Sequence, residues 1–124
     1  MSRAMVVDDS KAIRMILSKT LAEVGFDVCE ASNGKEALAV FAREGSDISL
    51  VLVDWNMPQM DGLEFVKRLR ADPRHSSVVL MMVTTETEVE QMVKALEAGA
   101  NEYVMKPFTK EIIEDKLRML GVLQ

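Results

Sequence analysis

One cysteine in 124 residues, Cys29, cannot close an internal disulfide, and no apolar stretch with a basic flank opens the chain as a secretory leader would. The expected compartment is the cytoplasm. The longest apolar run, Val78–Val83, has six residues, against the ~20 that a membrane-spanning helix needs, so no span is expected. There is no block of like charge either. Fifteen Lys and Arg stand against twenty Asp and Glu, for a formal charge of -5, which argues against a non-specific nucleic-acid binder. No Pro/Gly/Ser-rich linker, repeat or low-complexity segment divides the chain. What remains, 48% hydrophobic and 28% charged residues, is the composition of one ordinary folded domain.

Apolar clusters alternate with amphipathic stretches five times. Short β-rich runs at Ala4–Val7, Val28–Ala31, Leu50–Val53, Val78–Val83 and Tyr103–Met105 read as strands. All but the second, which carries Glu30, lack polar alternation, the pattern of strands covered on both faces in a parallel sheet. Between them lie five helices. The first runs from a Ser10 cap to Gly25 with Ile13, Ile16, Leu17, Leu21 and Val24 inward. The second opens on Asn33 with Glu36 as a capping box and ends near Gly45. Asp61 and Glu64 frame the third, Thr85 and Glu88 the fourth, which uses Val89, Met92, Val93 and Leu96 and stops at Gly99. Thr109 starts the fifth, with Ile112, Ile113, Leu117 and Leu120 inward. The ten methionines, including Met81, Met82, Met92 and Met105, read as core filler.

Strict alternation implies right-handed crossovers and a parallel sheet with helices on both faces, with ligands beyond the carboxyl ends of the strands. The residues that follow the strands are Asp8 and Asp9, then Asp54 with Asn56 two on, then Thr84, then Lys106-Pro107. Three carboxylates on one sheet edge repel one another unless a cation joins them. Magnesium suits the set, being held by one or two carboxylates, waters and phosphate oxygens. Lys106 adds a fixed positive charge and Thr84 a hydroxyl donor, so the expected ligand is a phosphoryl group. An ionised Asp54 needs no general base to attack phosphorus.

Val6-Val7-Asp8-Asp9, Val53-Asp54-Trp55-Asn56-Met57-Pro58 with Met60-Asp61-Gly62, Val83-Thr84, Ala98-Gly99-Ala100, Tyr103 and Lys106-Pro107-Phe108 resemble the signature of response-regulator receiver domains. The similarity runs from Met5 to about Leu120 and leans toward single-domain chemotaxis regulators of the CheY type. It implies a flavodoxin-like (βα)5 fold, an α/β five-stranded parallel sheet in the order 2-1-3-4-5 with five helices, spanning residues 1–124 as one receiver domain without an output domain. It also implies roles. Asp54 is then the phospho-acceptor, Asp8, Asp9, Asp54 and the backbone carbonyl of Asn56 hold Mg2+, Lys106 pairs with the phosphoryl oxygens, and Thr84 and Tyr103 form the switch, with Lys106-Pro107 in cis. In the family, phosphorylation draws the threonine toward the phosphoryl group and the aromatic ring turns inward. The implied partners are a histidine kinase as phosphodonor, a protein target on the face of the fourth helix, fifth strand and fifth helix, such as a flagellar motor switch protein, and a phosphatase; a monomer is expected. One departure is Thr85, followed by Glu86, where family members often carry a small residue; its bulk narrows access for small phosphodonors or attacking water.

Other readings compete. A stand-alone receiver serves equally in a non-chemotaxis phosphorelay or as a phosphate sink. A small Mg2+-dependent phosphohydrolase usually places a second acid two residues after its nucleophile, where this chain has Asn56. As a free-substrate enzyme the chain is therefore disfavoured, its chemistry being self-phosphorylation and autodephosphorylation. A flavin or nucleotide binder would want a Gly-rich loop after the first strand, and none is there. His75, the only histidine, reads as inert.

Overall fold

The computed structural model describes residues 3–44, 47–85 and 89–122. Strands β1 (Arg3–Val7), β2 (Asp27–Ala31), β3 (Ile48–Val53), β4 (Val79–Thr84) and β5 (Glu102–Met105) alternate with helices α1 (Lys11–Glu23), α2 (Gly34–Glu44), α3 (Gly62–Arg70), α4 (Val89–Ala98) and α5 (Lys110–Met119). A 3-10 turn at Pro73–His75 separates α3 from β4. All strand pairs are parallel, in the order β2-β1-β3-β4-β5.

Period-two alternation sends successive residues of each central strand into two different cores. Met5, Val7, Val51, Val53, Leu80 and Met82 pack with Phe41 of α2, Phe65, Val66 and Leu69 of α3 and Ala95 of α4. Ala4, Val6, Leu50, Leu52, Met81 and Val83 pack with Leu17 and Leu21 of α1 and Ile113 and Leu117 of α5. The sheet is thus the middle of three layers, and β2, at its edge, is the least buried strand.

Helix ends follow side-chain chemistry. Ser10, Asn33, Asp61 and Thr109 each accept a hydrogen bond from the backbone N–H three residues on, satisfying one orphan donor. Glu36 reaches the Ser32 hydroxyl at 2.8 Å rather than closing the box on Asn33. Gly25 and Gly99 follow α1 and α4 with φ of 103° and 124°. Gly45 and Glu88, expected to mark helix boundaries, and Glu86, noted after Thr85, lie outside the described residues.

Several residues expected inside face solvent. Ile16 of α1, Val89, Val93 and Leu96 of α4 and Ile112 of α5 are exposed, as is Met105, expected to fill the core. Helical spacing identifies an apolar stripe, and each of these helices carries one wider than the strip that its sheet covers.

Candidate functional site

Four chain segments meet at the carboxyl edge of the sheet. Asp8 follows β1 and is almost fully buried, its N–H on the Ala31 carbonyl and its carboxylate accepting from the Ser10 N–H at 2.8 Å. Asp9, next to it, is exposed. Asp54 follows β3, buried, with its N–H on the Val7 carbonyl at 2.9 Å. Thr84 ends β4 fully buried. Lys106 follows β5, its own N–H on the Thr84 carbonyl at 2.8 Å and its peptide to Pro107 in cis.

These side chains converge. The Lys106 ammonium donates to Asp8 Oδ2 at 2.9 Å and lies 3.4 Å from Asp54 Oδ2. Carboxylate oxygens of Asp8, Asp9 and Asp54 lie within 4.8 Å of one another. Burial pushes the Asp54 carboxyl above its ordinary value; the Lys106 charge pulls it down, the Asp8 carboxylate pushes it up, and hydrogen bonds with Thr84 and Lys106 pull it down.

Three acidic side chains with one ammonium leave two negative charges where all three are ionised, and every donor is a hard oxygen. That is the complement of a small divalent cation, and the residues present fit one. Asn56, two residues past Asp54, holds its side chain in solvent. Trp55 is buried in the same core layer as Phe65, Val66 and Leu69 of α3.

Tyr103 sits opposite Met82 in the β4–β5 register and is buried in the same core layer. By the period of β4, Thr84 points to that face as well. The ring already lies inward, alongside a threonine hydrogen-bonded to Asp54. Beside Lys106, residues Ile13, Ile16, Thr85, Pro107 and Phe108 line a concavity of about 370 Å³, and Thr85 is exposed there.

Two further residues, to which the sequence alone assigns no role, contribute to the site. Gly62 opens α3 directly against the backbone after β3, with its N–H on the Trp55 carbonyl at 2.8 Å. A Cβ there would meet the Asp54 carbonyl oxygen at 2.2 Å, so no other residue fits; its signals are its place in the Met60-Asp61-Gly62 motif and a glycine at a helix's first position, where propensity disfavours it. Arg14 donates to the Asp8 carbonyl at 2.6 Å. Nothing in its sequence context separates it from a surface arginine.

Residues 4–118 match the family model described as "Response regulator receiver domain". A "Chemotaxis protein CheY homolog" from Campylobacter jejuni is 41% identical over 116 residues, covering 93% of this chain and 88% of the relative. "Chemotaxis protein CheY1" from Helicobacter pylori is 40% identical, covering 95% of both. The solved structure of the chemotaxis response regulator CheY4 of Vibrio cholerae superposes with a TM-score of 0.88 at 36% identity, covering 97% of this chain and 98% of that one.

Proposed function

The chain belongs to the response regulator receiver domain family and is of the CheY type, and from that premise we propose that it carries a phosphoryl signal on Asp54 in chemotaxis. The observation that carries this reading is the convergence of Lys106, Thr84 and Asp8 on one buried carboxylate that is held from the strand end by its own backbone. The burial that raises the Asp54 pKa also leaves the ionised oxygen poorly solvated, which favours attack on an electrophile.

In the proposed reaction an Asp54 oxygen attacks the phosphorus of a phosphohistidine on a histidine kinase. The new P–O bond forms as the P–N bond breaks, with its electron pair left on the imidazole nitrogen. Lys106, already between Asp8 and Asp54, takes up a phosphoryl oxygen as a charge-assisted hydrogen bond, and the Thr84 hydroxyl donates to another. Asp8, Asp9 and Asp54, with the Asn56 backbone carbonyl, would hold Mg2+, which when bound supplies the positive charge that screens the carboxylates from the incoming phosphate. Later a water oxygen attacks phosphorus, the acyl phosphate P–O bond breaks toward Asp54, and inorganic phosphate leaves. A phosphoryl group adds about 1.5 to 2 negative charges; held by Thr84, it would fix Tyr103 in the inward position and reshape the face of α4, β5 and α5. Val93 and Leu96 of α4, Met105 of β5 and Ile112 of α5, all exposed, would give a protein target such as the flagellar switch an apolar surface to bind.

Trp55 fluorescence during titration with magnesium and then beryllofluoride tests the reading. The wild type responds to both, and Asp54→Asn loses the beryllofluoride response and forms no acyl phosphate. Acyl phosphate persisting in Asp54→Asn would remove Asp54 from the role.

A further inference from the structure

We propose that Arg14 is the positioning residue for the metal-holding end of this site, acting through the Asp8–Asp9 peptide and anchored on Glu30; the inference rests on the receiver reading above. The guanidinium donates through Nη1 to the Asp8 carbonyl at 2.6 Å and through Nε to Glu30 Oε1 at 3.1 Å. Its side chain is only 16% exposed, so the group is withdrawn from water and its bonds are not those of a waving surface arginine. It ties the turn after β1 to the edge strand β2, on which Glu30 sits.

The carbonyl it holds belongs to the peptide that joins Asp8 to Asp9. The last registered residue of β1 is Val7, paired with Ala31 on one side and Val53 on the other. Beyond that residue the ladder no longer dictates how the peptide plane turns. The Asp8 carboxylate has its own anchors in the Ser10 N–H and Lys106. Asp9 does not: among the described residues no hydrogen bond or ion pair holds its carboxylate, yet that carboxylate lies in the cluster with Asp8 and Asp54. Its place is therefore inherited from its main chain, and Arg14 is the side chain that fixes that main chain.

Charge and positioning predict opposite signs. Were Arg14 only a nearby positive charge, it would repel a divalent cation, and its removal would tighten binding. As a positioning group it favours binding, and its loss weakens it. Lysine separates the two, since an ammonium keeps the charge but not the planar fork that spans a carbonyl and a carboxylate.

The test measures the Mg2+ dissociation constant by Trp55 fluorescence for the wild type, Arg14→Gln, Arg14→Lys and Glu30→Gln, beside urea melts without magnesium. Both Arg14 variants are expected to bind magnesium about tenfold or more weakly, the usual loss when the support of a metal ligand is removed. Glu30→Gln, which keeps an acceptor oxygen, weakens binding less. If Arg14→Gln fails to fold, Arg14→Lys decides. A folded Arg14 variant that binds magnesium as tightly as the wild type, or more tightly, overturns the inference while the receiver reading stands. Absence of any magnesium response in the wild type overturns both.

Discussion

Burial outweighs the help that Asp54 receives from Lys106 and Thr84, and the sign of its stability contribution follows. Its carboxyl is raised above the ordinary 3.8, so between that value and the folded one the folded chain binds more protons than the unfolded chain. Stability without magnesium therefore falls as pH rises through that window, and the loss is complete above it. Asp54→Asn keeps the shape and removes the charge. Without magnesium the variant should have a higher urea midpoint than the wild type at pH 7, and the gap should close as the pH falls through the window to below about 3.8; a variant less stable at pH 7 contradicts this balance. Gly62 presents the opposite case, a residue defined by space alone. The Cβ of Gly62→Ala would sit 2.2 Å from the Asp54 carbonyl oxygen, which is backbone and cannot swing aside. Either α3 or the strand-end loop must move, and a destabilisation of about 3 kcal/mol is expected in urea unfolding.

Elements show where sequence pattern informs and where it stops. The central strands were legible because burial on both faces leaves continuous apolar runs such as Leu-Val-Leu-Val at Leu50–Val53, whereas the edge strand β2, with Glu30, is only partly buried. Caps at Ser10, Asn33, Asp61 and Thr109 were legible because each pairs a short acceptor with a start of helical spacing. The strand-end residues Asp8, Asp54, Thr84 and Lys106 were legible as a set because a parallel sheet brings its carboxyl ends to one edge. Exposure on α4 was not: Val89, Val93 and Leu96 have core spacing, and the pattern does not encode whether the chain itself covers them. Nor was the clamp formed by Arg70, at the end of α3. Its guanidinium donates to the carbonyls of Gly99 and His75 at 3.0 and 3.1 Å and to Asn101 Oδ1 at 2.9 Å, an oxygen that also accepts from the Leu80 N–H. One side chain thus joins α3 to the approaches of β4 and β5, at the sheet edge opposite the acidic cluster, and burial lowers its affinity for its proton. Arg70→Met keeps the stem and removes the donors. It is expected to cost about 2 to 4 kcal/mol in urea unfolding and to leave magnesium titration of Trp55 unchanged.

At the scale of the molecule, the acidic edge is a place where folding and ion binding are one equilibrium. Asp8 and Asp9 come from the end of β1 and Asp54 from the end of β3, so their oxygens are neighbours only while the sheet is formed. An ion held by all three binds the folded chain and not the unfolded one, and it adds RT ln(1 + [Mg2+]/Kd) to stability. At a hundredfold excess over Kd that is about 2.7 kcal/mol, or about 10 °C in Tm for a domain of this size. General screening of the -5 net charge would also stabilise the fold, but sodium chloride at equal ionic strength supplies that part alone. Three results should therefore come together in calorimetry: a Tm rise with magnesium well beyond the sodium chloride control, its reversal by chelator, and a much smaller rise in Asp54→Asn. Acid should shrink the rise as well, because the ion needs the carboxylates ionised. A magnesium increment no larger than the sodium chloride control, or one retained in full by Asp54→Asn, would mean that the three carboxylates do not act together as a cation site.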